Sequence, residues 1–158
     1  MTVPLDPGTI DSFFVYGTLC RGQCREKCWP HPPIAVVPAW VFGTLYDRED
    51  YPALTSGHDR VQGELWTFRP DQMRDVLEVI DVVEGTNQPG TSNLYDRLIV
   101  DVYGIEVLTQ TEITPKERIA QAWGYHYSTP PEQDGFIRVQ PQTGQRVRWP
   151  CEDLRPET

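Results

Sequence analysis

The run Phe13-Phe14-Val15-Tyr16-Gly17-Thr18-Leu19 is apolar until it reaches its glycine, the pattern of a strand covered on both faces that then turns. It predicts a central place in a sheet. Residues 39–46 and 60–68 mix aromatic and aliphatic side chains around Gly43 and Gly63, which predicts strands bent enough to curve the sheet. A barrel follows from that curvature. Residues 95–107, rich in Val, Ile, Leu and Tyr, predict one long strand or a hairpin bent at Tyr103-Gly104. In residues 119–127 strict alternation puts Ala120, Ala122, Gly124 and His126 on one face and Gln121, Trp123, Tyr125 and Tyr127 on the other.

One segment has helical periodicity. Residues 70–83 open with Pro70 and Asp71, both favoured in a first turn, and are followed by Gly85 as a stop signal. Met73, Val76, Leu77, Ile80 and Val83 recur at three-to-four spacing and make an apolar stripe that lies on the sheet. Glu84 falls about 20° from Met73 after three full turns, so this stripe carries a carboxylate toward the core. Burial and the negative end of the helix both raise its pKa, which suits a group that takes and returns a proton near neutrality. If the last turn frays, Glu84 turns to solvent instead. Glu78 and Asp75 face away from the stripe, and Asp81 at its edge is expected to accept a hydrogen bond that fixes the helix end or a nearby loop.

Beyond the helix, residues 86–93 (TNQPGTSN) form a turn-rich connector of the kind that borders sites. Pro130-Pro131 then breaks the chain. Residues 136–139 and 146–149 flank a polar turn and predict a terminal hairpin, with residues 150–158 as a tail.

The length of 158 residues suits a single domain, read as residues 1–128 plus a hairpin extension over residues 129–158 that belongs to the same unit. With 15 prolines and 12 glycines the chain favours turns and short strands over a helical bundle. A net charge of -9 repels phosphate backbones and anionic lipid, so neither nucleic acid nor a membrane is an expected partner. The sequence has no long apolar run and no basic start leading into one, which leaves a cytoplasmic protein, monomeric or weakly dimeric, as the expectation.

Cys20, Cys24 and Cys28 repeat every fourth residue, and Cys151 stands apart. A metal reading would add His31, but structural zinc sites usually combine two separated pairs, and no second pair is present. Reduced thiols and no metal are expected. The motifs of serine hydrolases, zinc proteases and nucleotide-binding loops are missing from the sequence, and nothing in the spacing of His31, His58 and His126 makes them converge. The turn at Tyr16, Gly17, Thr18 and Leu19 offers backbone N–H groups and a hydroxyl to a carboxylate or oxyanion. By itself such a turn is common and does not mark a site.

In combination these segments resemble the gamma-glutamylcyclotransferase-like (AIG2-like) family. The residues that carry the resemblance are Tyr16-Gly17-Thr18-Leu19, Gly43-Thr44-Leu45-Tyr46-Asp47, Tyr51-Pro52-Ala53-Leu54, Val61-Gln62-Gly63-Glu64-Leu65-Trp66, Ile80-Asp81-Val82-Val83-Glu84-Gly85, Tyr95-Asp96-Arg97 and Ala122-Trp123-Gly124-Tyr125-His126-Tyr127. The resemblance implies an α+β fold, a small mixed β-barrel flanked by a few helices. It implies Glu84 as the proton-transferring residue, a substrate held by the Tyr16-to-Leu19 loop, and Tyr95 and Tyr127 as pocket walls. No cofactor is implied. The substrate class is a small gamma-glutamyl amide, closed on itself to 5-oxoproline with release of an amine. A non-catalytic module on the same barrel, binding a small ligand or a protein, is the alternative. The cysteine run, Asp96 between Tyr95 and Arg97, and everything after Ser128 depart from the family pattern.

Overall fold

The apolar run at the start of the chain becomes β1, Ser12–Val15, and all four of its residues are buried. Phe13 and Val15 pack in one apolar cluster and Phe14 in another, so both faces of this strand are inside the molecule. The computed structural model describes residues 7–105, 118–142 and 145–149.

On one side β1 pairs antiparallel with β3, Ala53–Thr67, in the register Phe13↔Trp66 and Val15↔Glu64. On the other it meets β5, Ala120–Tyr127, in parallel at Phe13↔Trp123. β5 pairs antiparallel with β4, Tyr95–Gly104, from Tyr95↔Tyr127 to Val102↔Ala120. β4 reaches β2, Ala35–Asp47, at Trp40↔Tyr103, and β2 runs back along β3 to close the ring. The result is a closed five-stranded mixed barrel in an α+β fold. The expected strands are present, with β2 and β3 longer than their glycine-centred cores suggested. Their register slips between Gly43 and Thr44, where Gly57 lies against Thr44 too closely for any side chain. The end of the segment 95–107 lies outside the described residues.

Two apolar clusters follow from the strand alternation. The barrel interior holds Phe14, Val41, Leu45, Leu54, Val61, Val102 and Ala122, contributed by all five strands. The outer face of β1, β3 and β5 carries the second cluster, covered by α1, Met73–Glu84. A single turn of 3-10 helix, Pro70–Gln72, leads into α1, so the expected helix start is tighter than an α-helix. Met73, Val76 and Ile80 form its buried stripe, and burying Val76 and Ile80 contributes roughly 1.5–3 kcal/mol each.

The C-terminal segment corrects the expected hairpin. β6, Ile137–Arg138, pairs with Asp47 and Tyr46 of β2, and Val147 makes a parallel bridge to Val61 of β3. Each half finds a barrel strand rather than the other half. Both segments bring an apolar residue, Val139 and Val147, to the interior cluster, which outweighs a short isolated pairing. The expected tail over residues 150–158, with Cys151, lies outside the described residues.

Candidate active site

Glu84 reaches the interior because the end of α1 is locked. Gly85 adopts a left-handed conformation, its N–H meets the Val82 carbonyl at 3.1 Å, and the Thr86 N–H meets that of Asp81 at 2.8 Å. These two bonds make a Schellman cap. Thr86, fully buried, donates its hydroxyl to the Tyr95 carbonyl at 2.6 Å, and the Leu94 N–H returns to the Gly85 carbonyl at 2.9 Å. The connector 86–93 is thus stitched to α1 and β4, and fraying of the last turn is opposed at both ends.

The other wall is the turn that leaves β1. Its carbonyls are occupied: Gly17 accepts from the Cys20 N–H at 3.0 Å, Thr18 from the Arg25 N–H at 2.8 Å, and Leu19 from the Trp29 indole at 3.0 Å. Among the described residues the Gly17 N–H meets the Cys20 thiol, and no acceptor meets the N–H groups of Thr18 or Leu19, although both residues are buried. Buried donors without partners are rare and mark a place for an acceptor. Gly17 is required here by packing, since a β-carbon would sit 2.5 Å from Cγ of Pro52.

Between these walls lies a cleft with about 370 Å³ of atom-free space, its open mouth included, lined by Tyr16, Gly17, Thr18, Leu19, Arg25, Glu84, Tyr95 and Tyr125 among others. Tyr51 and Pro52 of the β2–β3 connection complete the lining. The Glu84 carboxyl forms no hydrogen bond among the described residues. Burial raises its pKa to about 7, the positive charge of Arg25 acts downward, and the negative charge of Asp81 adds to the rise. Burial and the neighbouring Asp81 carboxylate thus act in the same, upward direction.

The tyrosines are braced. Tyr16 donates to the Tyr125 carbonyl at 2.7 Å and Tyr95 to that of Pro52 at 2.6 Å. Burial pushes the pKa of both well above the usual phenol value, so they stay protonated. Tyr125 donates to Oδ1 of Asp81 at 2.7 Å, and Nε of Arg97 donates to the same atom at 2.9 Å. Asp81 therefore ties α1 to β4 and β5, not to the helix end or a loop. The remaining polar groups of the cleft are Glu84, Arg25, the Thr18 hydroxyl and the loop N–H groups.

Of the residues singled out in the sequence, Glu84, Tyr16, Gly17, Thr18, Leu19 and Tyr95 meet around this cleft, whereas Tyr127 is not among its lining. Tyr127 packs edge-on against Tyr95 at 5.3 Å and donates to Oδ2 of Asp134 at 2.6 Å. Tyr125, two residues earlier on the same strand face, takes the lining position; the alternation placed the two together but did not rank them. Arg25 carried no sequence signal. The cysteine run is not helical over its length: only Glu26–Cys28 forms a 3-10 turn. His31 Nε2 lies 3.2 Å from Asp75, and burial together with the neighbouring Glu64 carboxylate pushes the Cys20 thiol pKa far up. A wider depression beside Trp29, Pro30 and His31 lacks Glu84 and the loop donors.

The family pattern described as gamma-glutamyl cyclotransferase, AIG2-like, matches residues 13–145 and so includes both walls of the cleft. The chain belongs to this gamma-glutamyl cyclotransferase, AIG2-like family. Its fold is similar to that of an AIG2-like protein of Mus musculus, with 20% identity, a TM-score of 0.51, and coverage of 86% of this chain and 99% of that one. Similar folds also occur in YkqA of Bacillus subtilis, at 16% identity and TM-score 0.52, and in a protein of Arabidopsis thaliana, at 22% and 0.50. The matches cover 82% and 80% of this chain but only 37% of the Bacillus protein and 66% of the Arabidopsis one. No curated protein sequence matches the chain. Among the described residues no helix is long and apolar enough to cross a membrane.

Proposed function

We propose that the chain converts a gamma-glutamyl amide into 5-oxoproline and a free amine. Membership of the family supports gamma-glutamylcyclotransferase-like function in general. What carries the particular reaction is one juxtaposition: a carboxyl whose pKa is raised to about 7, in the same cleft as the turn that carries the unpaired N–H donors of Thr18 and Leu19.

The substrate supplies its own nucleophile. The α-amine of a gamma-glutamyl group reaches the γ-carbonyl and closes a five-membered ring, so proximity is built into the substrate. Left to the protein are folding the chain and moving protons. In this reading the Glu84 carboxylate takes a proton from the α-ammonium and passes it to solvent, the neutral amine attacks the γ-carbon, Glu84 takes a second proton from the ring nitrogen, and the C–N bond to the leaving amine breaks as Glu84 gives that proton to the departing nitrogen. The loop N–H groups hold the α-carboxylate, with the Thr18 hydroxyl as a further donor. Tyr16, Tyr95 and Tyr125 wall the ring as it forms. A pKa near 7 lets one group serve as base and then as acid.

The test is a panel of gamma-glutamyl amides, varied in the leaving amine, assayed for 5-oxoproline. Wild-type protein is expected to release it, and Glu84→Gln protein to bind substrate without turnover. Undiminished release by the Gln variant eliminates the assignment. Binding without release by the wild type leaves the alternative, a ligand-binding module.

A further inference from the structure

Tyr51 and Pro52, which line the Glu84 cleft, sit in the connection between β2 and β3, and Arg48 at its start is bound on every side. Its Nε and Nη2 donate to the two carboxylate oxygens of Asp50 at 2.7 and 3.0 Å, and Nη1 donates to the Asp134 carbonyl at 2.7 Å. Cζ lies 4.6 Å from the centre of the Tyr51 ring and 4.4 Å from that of Phe136. The guanidinium thus joins a cleft residue to the segment that leads into β6.

Each partner is itself anchored. Phe136 is buried and packs edge-on against Tyr127 at 4.9 Å and Tyr51 at 5.7 Å. Oδ2 of Asp134 accepts the Tyr127 hydroxyl at 2.6 Å and the Thr129 hydroxyl at 3.1 Å, so the Asp134 carbonyl is offered to Arg48 from a fixed position. Asp50 Oδ1 also accepts the Tyr51 N–H at 3.1 Å, and Tyr95 holds the Pro52 carbonyl at 2.6 Å. The Arg48–Asp50 pair is open to solvent and contributes little to folding by itself. A planar guanidinium held between two rings and three acceptors fixes geometry instead.

We propose that Arg48 is a positioning residue that fastens the Tyr51–Pro52 wall of the cleft to residues 134–136, keeping water from Glu84 and the wall in place for the substrate. Tyr127, which does not line the cleft, then acts on it indirectly, because it holds Asp134 and Asp134 holds Arg48. The inference rests on the cyclisation reading for the effect on turnover but not for the state of the wall.

The ionisation of Glu84 reports on the wall. Arg25 acts on it downward and Asp81 upward, Tyr16, Tyr95 and Tyr125 face it with their pKa values raised, and Arg48 is not among its influences. Loss of a cation by charge alone would raise a carboxyl pKa, whereas admitting water lowers it, so the two effects have opposite signs. In Arg48→Gln protein a carboxyl-detected NMR titration is expected to place Glu84 about one unit below the wild-type value of about 7. Arg48→Lys, which keeps the charge but not the fork, recovers part of that shift, and Tyr127→Phe moves it in the same direction by less. Arg138→Gln, which breaks the ion pair with Asp59 outside the cleft, leaves it unmoved.

The second readout is kinetic, at about pH 8, for whichever gamma-glutamyl amide of the panel is turned over fastest. Arg48→Gln is expected to raise KM by about 10-fold and to change kcat by less than about 2-fold. A Glu84 pKa at or above the wild-type value in folded Arg48→Gln protein overturns the proposal, as does an equal fall in Arg138→Gln protein or a loss confined to kcat. If Arg48→Gln does not fold, Tyr127→Phe gives the same reading with the same outcomes. If the pKa falls but no amide yields 5-oxoproline, the fastened wall stands and the cyclisation reading falls. Release of 5-oxoproline with an unmoved pKa removes the role given to Arg48 and leaves the cyclisation reading standing.

Discussion

The hydroxyl of Tyr125 meets Oδ1 of Asp81 at 2.7 Å, and the bond joins the barrel to α1 one turn before Glu84. The same oxygen takes Nε of Arg97 at 2.9 Å, so one largely buried carboxylate fastens two strands. Tyr125→Phe removes one donor and leaves the ion pair, at an expected loss of about 1–2 kcal/mol. Asp81→Ala strands the guanidinium and is expected to lose about 3–5 kcal/mol. Urea unfolding of the two variants checks the order; equal, small losses would show that Asp81 does not hold the helix.

Glu84 should destabilise the fold where it is charged. Its carboxyl has a pKa of about 7 in the folded protein, against 4.5 for an ordinary glutamate. The folded state thus holds the proton more tightly, so stability falls as pH rises between those values and levels off above them. Glu84→Gln, with a neutral side chain of similar shape, is expected to match the wild type near pH 4 and to exceed it by about 2–3 kcal/mol at pH 8. Denaturant midpoints at the two pH values test this, and a variant less stable at both contradicts it.

Gly17→Ala tests the turn without touching a charge. The new methyl would lie 2.5 Å from Cγ and 2.7 Å from Cδ of Pro52, and the proline ring has little freedom to yield. The turn or the β2–β3 connection must shift, with an expected loss of roughly 1–3 kcal/mol and of most ligand affinity, because the N–H donors move with the turn. Full affinity in a stable Gly17→Ala protein would show that these donors do not hold the ligand.

The two charges nearest Glu84 should move its pKa in opposite directions. Arg25 favours the carboxylate and Asp81 disfavours it. Arg25→Gln is expected to take the value above 7 and Asp81→Asn below it, each read from a carboxyl-detected NMR titration.

Much of this was legible in the chain because the barrel obeys local rules. The doubly buried β1 appears as an unbroken apolar run, and the stripe from Met73 to Ile80 places Glu84 by arithmetic alone, with Gly85 marking the stop that keeps it there. Two things were not legible. Ile137 and Val147 prefer barrel strands to one another, a choice made by Asp47 and Val61, partners far away along the chain. Arg25 joins the cleft through a backbone bond to Thr18 across an irregular loop that has no periodicity to read. Tyr125 and Tyr127 illustrate the limit between these cases, since alternation gives the face but only packing decides which ring reaches the cleft.

The most direct test of the role given to Glu84 is the pH dependence of kcat/KM for 5-oxoproline release, set beside an NMR titration of its carboxyl. A single acidic limb near pH 7, coinciding with the titration, is expected, since the carboxylate is the form that accepts the first proton. Activity sustained at about pH 5, or a carboxyl that titrates near 4.5, would contradict that role.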